Sequence, residues 1–381
     1  MYLPRVAETK VRSLAAQFKA VAVIGPRQSG KTTLCRRCFP DKPYVSLENP
    51  EQRAFAIEDP RGFLASLPAG AILDEIQRTP HLLSWLQQRL DEESRPGTFI
   101  LTGSNNFLLL ESLSQSLAGR AAYLDLLPFS LEELAPQASL EDQLWQGGYP
   151  AVRNGQIPAE DWFPAYLRTY VERDVRQIRN IENLFLFEKF ISLCAGRVGQ
   201  LLNYSSLSVE LGIDVKTVQA WIGVLQASYI LYLLPPYYRN FSKRIIKSPK
   251  LYFCDTGLAC HLLRIDSPAH LVHHAQRGAL FENYAVTELL KNRLNRGLRP
   301  NLYFWRDQSG HEVGLLLDEG DQTLSIELKS GQTIQPSFFK GLQYYRSLSG
   351  AERGRLYYGG DQTQLRSDGT EALPWTRLAE G

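Results

Sequence analysis

Residues 25–32 read Gly25-Pro26-Arg27-Gln28-Ser29-Gly30-Lys31-Thr32, with Thr33 following, and match the pattern G-x4-G-K-[ST]. An apolar run over residues 21–24 precedes this stretch and a helical pattern over 31–38 follows it, so it joins a strand to a helix. The glycines let the chain turn its N–H groups inward, the start of the helix adds partial positive charge, and Lys31 places an ammonium beside them. That combination suits the phosphates of a nucleotide. The backbone of residues 25–33 would surround them, Lys31 would reach the terminal phosphates and the Thr32 hydroxyl would ligate Mg2+. An ordinary glycine turn is the competing reading, and the strand-loop-helix setting argues against it.

Working outward, such a loop needs a second strand that ends in acid. Ala71-Ile72-Leu73-Asp74-Glu75 supplies a short strand of three apolar residues ending in two acids. Asp74 is expected in the Mg2+ shell and Glu75 as the base that polarises an attacking water. A third apolar run, Phe99-Ile100-Leu101-Thr102, leads into Gly103-Ser104-Asn105. Ligands of parallel sheets sit at the carboxyl ends of the strands, so Thr102, Ser104 and Asn105 are candidates to touch the γ-phosphate or its water, with plain turn formation as the alternative. Arg120, just before the next apolar run, is either a solvated side chain or a transition-state arginine acting in its own or a neighbouring subunit.

These runs belong to a wider alternation. Strand-like segments at 21–24, 44–47, 71–74, 99–102 and 121–124 are separated by helical patterns at 31–38, 51–57 and 81–89, the plan of a parallel sheet covered by helices. The reading turns mainly helical from Pro158, and a second α/β unit begins near Ser248, with strands at 302–305, 312–317, 323–328 and 355–358. Three domains are expected, over 1–155, 156–250 and 251–381. The 381 residues, 44% apolar and 22% charged, exclude a disordered or collagenous chain, and a net charge of +2 confines any nucleic-acid surface to a local patch. Five cysteines are too few for a disulfide framework, and no run is long enough to cross a bilayer, so a cytoplasmic protein without a membrane partner is expected.

In the middle of the chain a short helix over 205–211, the turn Gly212-Ile213-Asp214 and a second helix over 215–227 follow the helix-turn-helix plan, with Lys216 and Gln219 outward. The strip from Arg239 to Lys250 then carries Arg239, Lys243, Arg244, Lys247 and Lys250 without an acid. It resembles the wing of a winged helix able to meet DNA phosphates, or else a solvated edge hairpin. Farther on, Glu282, the triplet Glu312-Val313-Gly314 and Glu327-Leu328-Lys329 resemble the E…PD…(D/E)xK core of restriction endonucleases. Strand alternation puts Glu327 and Lys329 on one face. Gly314 stands where the central acid belongs, and Glu312, two residues earlier on that face, is far for a substitute. A remnant fold used for binding is therefore expected in place of DNA hydrolysis. Cys35 and Cys38 on the first helix read as core thiols, and His273 and His274 as surface histidines.

Taken together, GPRQSGKTTL, ILDEIQRTP, FILTGSNNFLL, SLAGR, GGYPAV, YVERDV, KSPKLYFCDTGL, FENYAVTELL and IELKSG cover nearly the whole chain. The sequence resembles the prokaryotic AAA+-type ATPases with an N-terminal P-loop domain and a C-terminal domain of unknown function with a nuclease-like end. It departs from them at Gly314, where that family usually has Asp. The resemblance implies an AAA+ sheet of strand order 5-1-4-3-2 and binding of ATP and Mg2+ through Gly30, Lys31, Thr32 and Asp74. It further implies Glu75 as base, Asn105 as sensor and Arg120 as finger. ATP hydrolysis coupled to a DNA-binding C-terminal half is the expected function. The alternatives are a nucleotide-gated switch for a protein partner or a second copy, and an ATP-controlled nuclease.

Overall fold

The computed structural model describes residues 2–92, 95–104, 117–134, 138–170, 183–238 and 246–381. The chain forms two compact units: Met1–Phe129 with Ala227–Tyr229 and Arg293–Leu298, and Ser130–Gln226 with Ile230–Asn292 and Arg299–Gly381.

In the first unit, strands β1 (Ala20–Gly25), β2 (Tyr44–Ser46), β3 (Ala71–Asp74), β4 (Phe99–Ser104) and β5 (Ala121–Asp125) form a parallel sheet of order β2-β3-β4-β1-β5. This is the order 5-1-4-3-2 that the resemblance implies. Whereas the edge strand β2 is partly exposed, the central strands β1, β3 and β4 are buried along nearly their whole length and begin as apolar runs because they are covered on both faces. Alternation divides them. Val21, Val23, Ile72 and Ile100 meet Val11 and Leu14 of α1 (Ala7–Ala15) and Leu34, Cys35 and Cys38 of α2 (Lys31–Cys38). Ala22, Ile24, Leu73 and Leu101 face the other way, onto Leu82, Leu83, Leu86 and Leu90 of α3 (Leu82–Glu92). Truncating a fully buried leucine such as Leu86 to alanine costs about 2–5 kcal/mol. The parallel registers set Gly25 beside Ser104 and Ser46 beside Asp74, so the carboxyl ends of four strands meet at one edge.

The second unit begins at Ser130. Residues 130–155 pack with the later chain, through a Trp145 Nε1 hydrogen bond to the Ile265 carbonyl at 2.9 Å and Arg277 on Glu141 at 2.6 Å. The joint lies in the continuous apolar stretch at 126–129, which carries no break in composition. Helices α4 (Tyr204–Leu211) and α5 (Val215–Ala227) flank Gly212, whose φ of 69° ends α4 in the left-handed region, and Asp214 caps α5 by accepting from the Thr217 N–H at 2.9 Å. Val218, Trp221, Ile222 and Leu225 are buried, Val215 only partly, while Lys216 and Gln219 are exposed. Strands β6 (Leu231–Leu234) and β7 (Lys250–Phe253) pair antiparallel. After α6 (Thr256–Leu262) and α7 (Arg277–Asn295) come β8 (Leu302–Arg306), β9 (Glu312–Asp318), β10 (Thr323–Lys329), α8 (Lys340–Ser349), β11 (Gly354–Tyr358), β12 (Gln364–Leu365) and β13 (Thr370–Pro374). These strands form a mixed sheet of order β12-β13-β11-β10-β9-β8, antiparallel from β8 to β10 and parallel between β10 and β11.

Asp255 holds two distant stretches of this unit together. Its buried carboxylate accepts from the Leu258 N–H at 3.1 Å, capping α6, and from the Gly148 N–H at 2.7 Å. Gly147, at φ 63° and ψ −154°, occupies backbone space that only glycine adopts freely, and a Cβ there would lie 2.1 Å from Asp255 Oδ1.

Candidate functional site: a phosphate-binding loop and a glutamate cleft

The loop at 25–32 leaves β1 and enters α2, as its sequence requires. Gly25 is fixed by close approach: a Cβ would sit 2.1 Å from the Leu126 carbonyl oxygen. Gly30, at φ 93°, is the N-cap of α2, and Gln28 also has a positive φ of 60°. Arg5 braces the loop from below, donating to the Ser29 and Leu127 carbonyls at 2.7 Å each, with its guanidinium 4.8 Å from the Phe129 ring centroid. The sequence reading missed Arg5, because its partners lie far along the chain and no local pattern marks it.

Lys31 is 4% exposed, and its Nζ donates only inward, to the carbonyls of Gly25 at 3.0 Å and Pro26 at 2.6 Å. Burial lowers its ammonium to about 8, against the pull of the Glu75 and Asp74 carboxylates. Asp74 gathers three hydroxyls. Oδ1 accepts from Thr32 at 2.8 Å and from Thr102, and Oδ2 accepts from Tyr44 at 2.7 Å. Burial, together with the Asp74 hydrogen bond and charge, pushes the Tyr44 phenol up to about 12. Glu75 follows in the left-handed region at φ 58°, which turns its side chain away from the strand direction. Its Oε2 accepts from Gln77 Nε2 and from Ser104 Oγ at 3.3 Å, and Gln77 Nε2 also donates to Ser104 Oγ at 2.8 Å. Gln77 is a second residue that sequence reasoning overlooked, although it lies two positions from Glu75 in the same motif.

The residues fit a triphosphate with a divalent cation on three counts. Gly30 at φ 93° turns the backbone into the helix N-terminus, a buried ammonium waits with carbonyl partners only, and the buried Ser29 Oγ has no hydrogen-bond partner among the described residues. Thr32 and Asp74 supply the hard oxygen donors such a cation takes. Beside them opens a cleft of about 520 Å3 lined by Thr32, Thr33, Arg36, Arg37, Lys42 and Tyr44.

Residues 17–135 match the family described as an AAA domain. The N-terminal part carries an AAA domain. Residues 137–269 and 277–378 match two domains of unknown function, DUF8612 and DUF4143. The chain is 29% identical over 377 residues to the uncharacterized proteins Rv2008c of Mycobacterium tuberculosis and Mb2031c of Mycobacterium bovis, covering 97% of this chain and 83% of theirs. An uncharacterized protein of Haemophilus influenzae is 24% identical over 246 residues, 60% of this chain and 58% of that one. Among solved structures, the Walker-type ATPase PABY2304 of Pyrococcus abyssi is similar at 16% identity, with 68% of this chain and 94% of that one covered and a TM-score of 0.41. AMPPCP-bound DnaA of Aquifex aeolicus is similar at 15% identity over 58% of this chain and 86% of that one, with a TM-score of 0.30.

The remaining candidates of the AAA domain are scattered. Asn105 lies outside the described residues. Arg120 stands at the opposite end of the sheet from the loop, since β5 runs from Ala121, level with Ala20, to Asp125, level with Ile24. At 3.3 Å per strand residue that separation is roughly 15 Å. Its guanidinium grips Asp91, Nε to Oδ1 at 2.5 Å and Nη2 to Oδ2 at 3.0 Å. Cys35 and Cys38 are buried core thiols, with burial pushing Cys38 up to about 11.

In the C-terminal unit the predicted acids converge. Glu282 of α7, Glu312 and Gly314 of β9, and Glu327 and Lys329 of β10 line one cleft of about 360 Å3. Lys329 Nζ meets Glu327 Oε1 at 2.7 Å, and burial raises the Glu327 carboxyl against that pull. Lys250 corrects the reading of the basic strip. It is 4% exposed, and its Nζ lies 3.0 Å from Glu282 Oε1 and 2.5 Å from Glu312 Oε1. It is an interior cation of this cleft and unavailable to phosphates outside. Lys247 is exposed, while Arg239, Lys243 and Arg244 lie outside the described residues. Among the described residues no group of His, Cys, Asp and Glu is arranged to hold a metal ion, and no helix is long and apolar enough to cross a membrane.

Proposed function

We propose that this chain binds and hydrolyses ATP with Mg2+ as an AAA+-type ATPase. The observation that carries the reading is the convergence of Lys31, Thr32, Asp74 and Glu75 at the carboxyl ends of β1 and β3, with Thr32 Oγ1 hydrogen-bonded to Asp74 at 2.8 Å. Thr32 and Asp74 would hold Mg2+, which supplies positive charge to the phosphate oxygens. The N–H groups of residues 28–32 and the Lys31 ammonium bind and neutralise the phosphate tail. Glu75 takes the proton of the attacking water, and Gln77 and Ser104 orient its carboxylate. Arg120, on the far end of its own sheet, acts only on the loop of a second copy, so turnover by this route needs self-association. Phosphate release should disappear in Lys31→Ala, and Glu75→Gln should retain bound nucleotide. Turnover that survives Lys31→Ala refutes the proposal, and tight ATP binding with no release in the unaltered chain would instead establish a nucleotide-gated switch.

We further infer a tripartite division, with 1–155 as the ATPase part and the segments 156–250 and 251–381 acting as winged-helix and nuclease-like parts. Exposed Lys216 and Gln219 on α5 favour DNA as the partner of the middle part. A shift of duplex DNA whose salt dependence weakens in Lys216→Ala and Lys247→Ala tests this, and an unchanged slope rejects it.

A further inference from the structure

The glutamate cleft gathers Glu282, Glu312 and Glu327, the acids that the sequence pattern would assign to a divalent cation, and its residues do not fit one. We propose that the Lys250 ammonium is a resident cation occupying the metal position of this cleft, and that replacing Lys250 while adding a carboxylate at position 314 opens a latent Mn2+ site.

Geometry carries the first half. Lys250 and Tyr252 are two residues apart on β7, so both side chains leave the strand on one face. Both end on the same atom: Lys250 Nζ lies 3.0 Å and the Tyr252 hydroxyl 2.6 Å from Glu282 Oε1. Lys250 Nζ also lies 2.5 Å from Glu312 Oε1, joining α7 to β9. An ion bridging those two oxygens at about 2.1–2.6 Å would fall on the lysine nitrogen, so the two cannot coexist. Charge carries the argument further. The carboxylates of Glu282, Glu312 and Glu327 already face the cations Lys250, Arg306 and Lys329, at contacts of 2.5 to 3.3 Å. Three negative charges meet three positive ones, which leaves no excess for a divalent ion to neutralise.

The second half rests on space. At Gly314 a Cβ would meet nothing nearer than Glu282 Oε1, at 4.0 Å. The first atom of an aspartate side chain is therefore accommodated there without moving backbone, beside the carboxylate that Lys250 now holds. With the lysine gone and that acid added, the cleft has four carboxylates against two cations and oxygen donors enough for a hard ion.

The test uses the full chain without nucleotide, in an Asp74→Asn background that removes the loop's own metal donor, with Mn2+ followed by electron paramagnetic resonance and by thermal melting. The Asp74→Asn chain and its Gly314→Asp derivative, both keeping Lys250, should bind no Mn2+ and melt alike in Mn2+ and in chelator. Lys250→Ala should melt lower. Lys250→Ala with Gly314→Asp should bind one Mn2+ and melt higher in Mn2+ than in chelator, and both effects should vanish on adding Glu327→Gln. The proposal is overturned if Gly314→Asp with the lysine in place binds Mn2+, or if the folded Lys250→Ala, Gly314→Asp chain binds none. Should the alanine variant not fold, Lys250→Met with Gly314→Asp, which keeps the length of the side chain, is read in the same way.

Discussion

The buried state of Lys31 makes nucleotide binding depend on pH above neutrality. Burial lowers its ammonium to about 8, below the ordinary 10.5, outweighing the attraction of Glu75 and Asp74. That difference corresponds to about 3 kcal/mol disfavouring the charged form. The sign follows from a base whose value is lowered on folding: the folded chain gives up its proton first, so the ammonium is present below about 8 and lost above it. A triphosphate beside Nζ restores the charge, so binding at higher pH must draw a proton from solution. Affinity should fall about tenfold for each pH unit beyond about 8, or roughly twentyfold between about pH 7.5 and pH 9.5. Titration calorimetry with a nonhydrolysable ATP analogue, in two buffers of different ionisation heat, measures both quantities. At the upper pH the observed heat should depend on the buffer by close to one proton per nucleotide. An affinity flat across this range, with heats independent of buffer, would refute the account of Lys31 as a desolvated ammonium awaiting an anion.

Three further outcomes are expected. Glu75→Gln should lower kcat by about a hundredfold or more while ATP affinity changes little, since the carboxylate and not the fold is removed; steady-state phosphate release beside equilibrium binding measures this. Gln77→Ala frees the Glu75 carboxylate from Nε2 and should lower kcat roughly tenfold with KM nearly unchanged, whereas a purely structural glutamine would move the melting temperature and leave the rate alone. Gly147→Ala forces a Cβ to 2.1 Å from Asp255 Oδ1 in backbone space reserved for glycine. It should cost about 2 kcal/mol or more in chemical denaturation, and a variant as stable as the parent would show that the Asp255 bridge yields easily.

What the sequence disclosed was local. Residues 25–32 and 71–75 carry their chemistry in consecutive positions, the buried central strands β1, β3 and β4 open as apolar runs, and α4 and α5 are separated by a glycine that ends one helix and an aspartate that starts the next. Each can be read from a window shorter than twenty residues. What it concealed depends on partners far along the chain. Arg5 reaches across 24 and 122 residues, and Gly148 and Asp255 are 107 apart. Lys250 finds Glu282 after 32 residues, and the cations earlier in its strip, Lys243, Arg244 and Lys247, made it look like one more surface charge. Strands β12 and β13 escaped because the first is two residues long and the second holds a glutamate and ends in proline. Arg120 was found by pattern, but only the strand register shows which end of the sheet it occupies.

The Arg5 brace bears on where this protein is cut. A shortened chain beginning at residue 17, where the AAA match starts, retains every residue of the loop yet leaves the Ser29 and Leu127 carbonyls without their guanidinium and exposes the flank of α2 that α1 covers. Such a fragment would keep the whole signature and still present a slack, poorly nucleotide-retentive pocket, so inactivity in a trimmed preparation reports on the missing fastener and not on the chemistry of the motif.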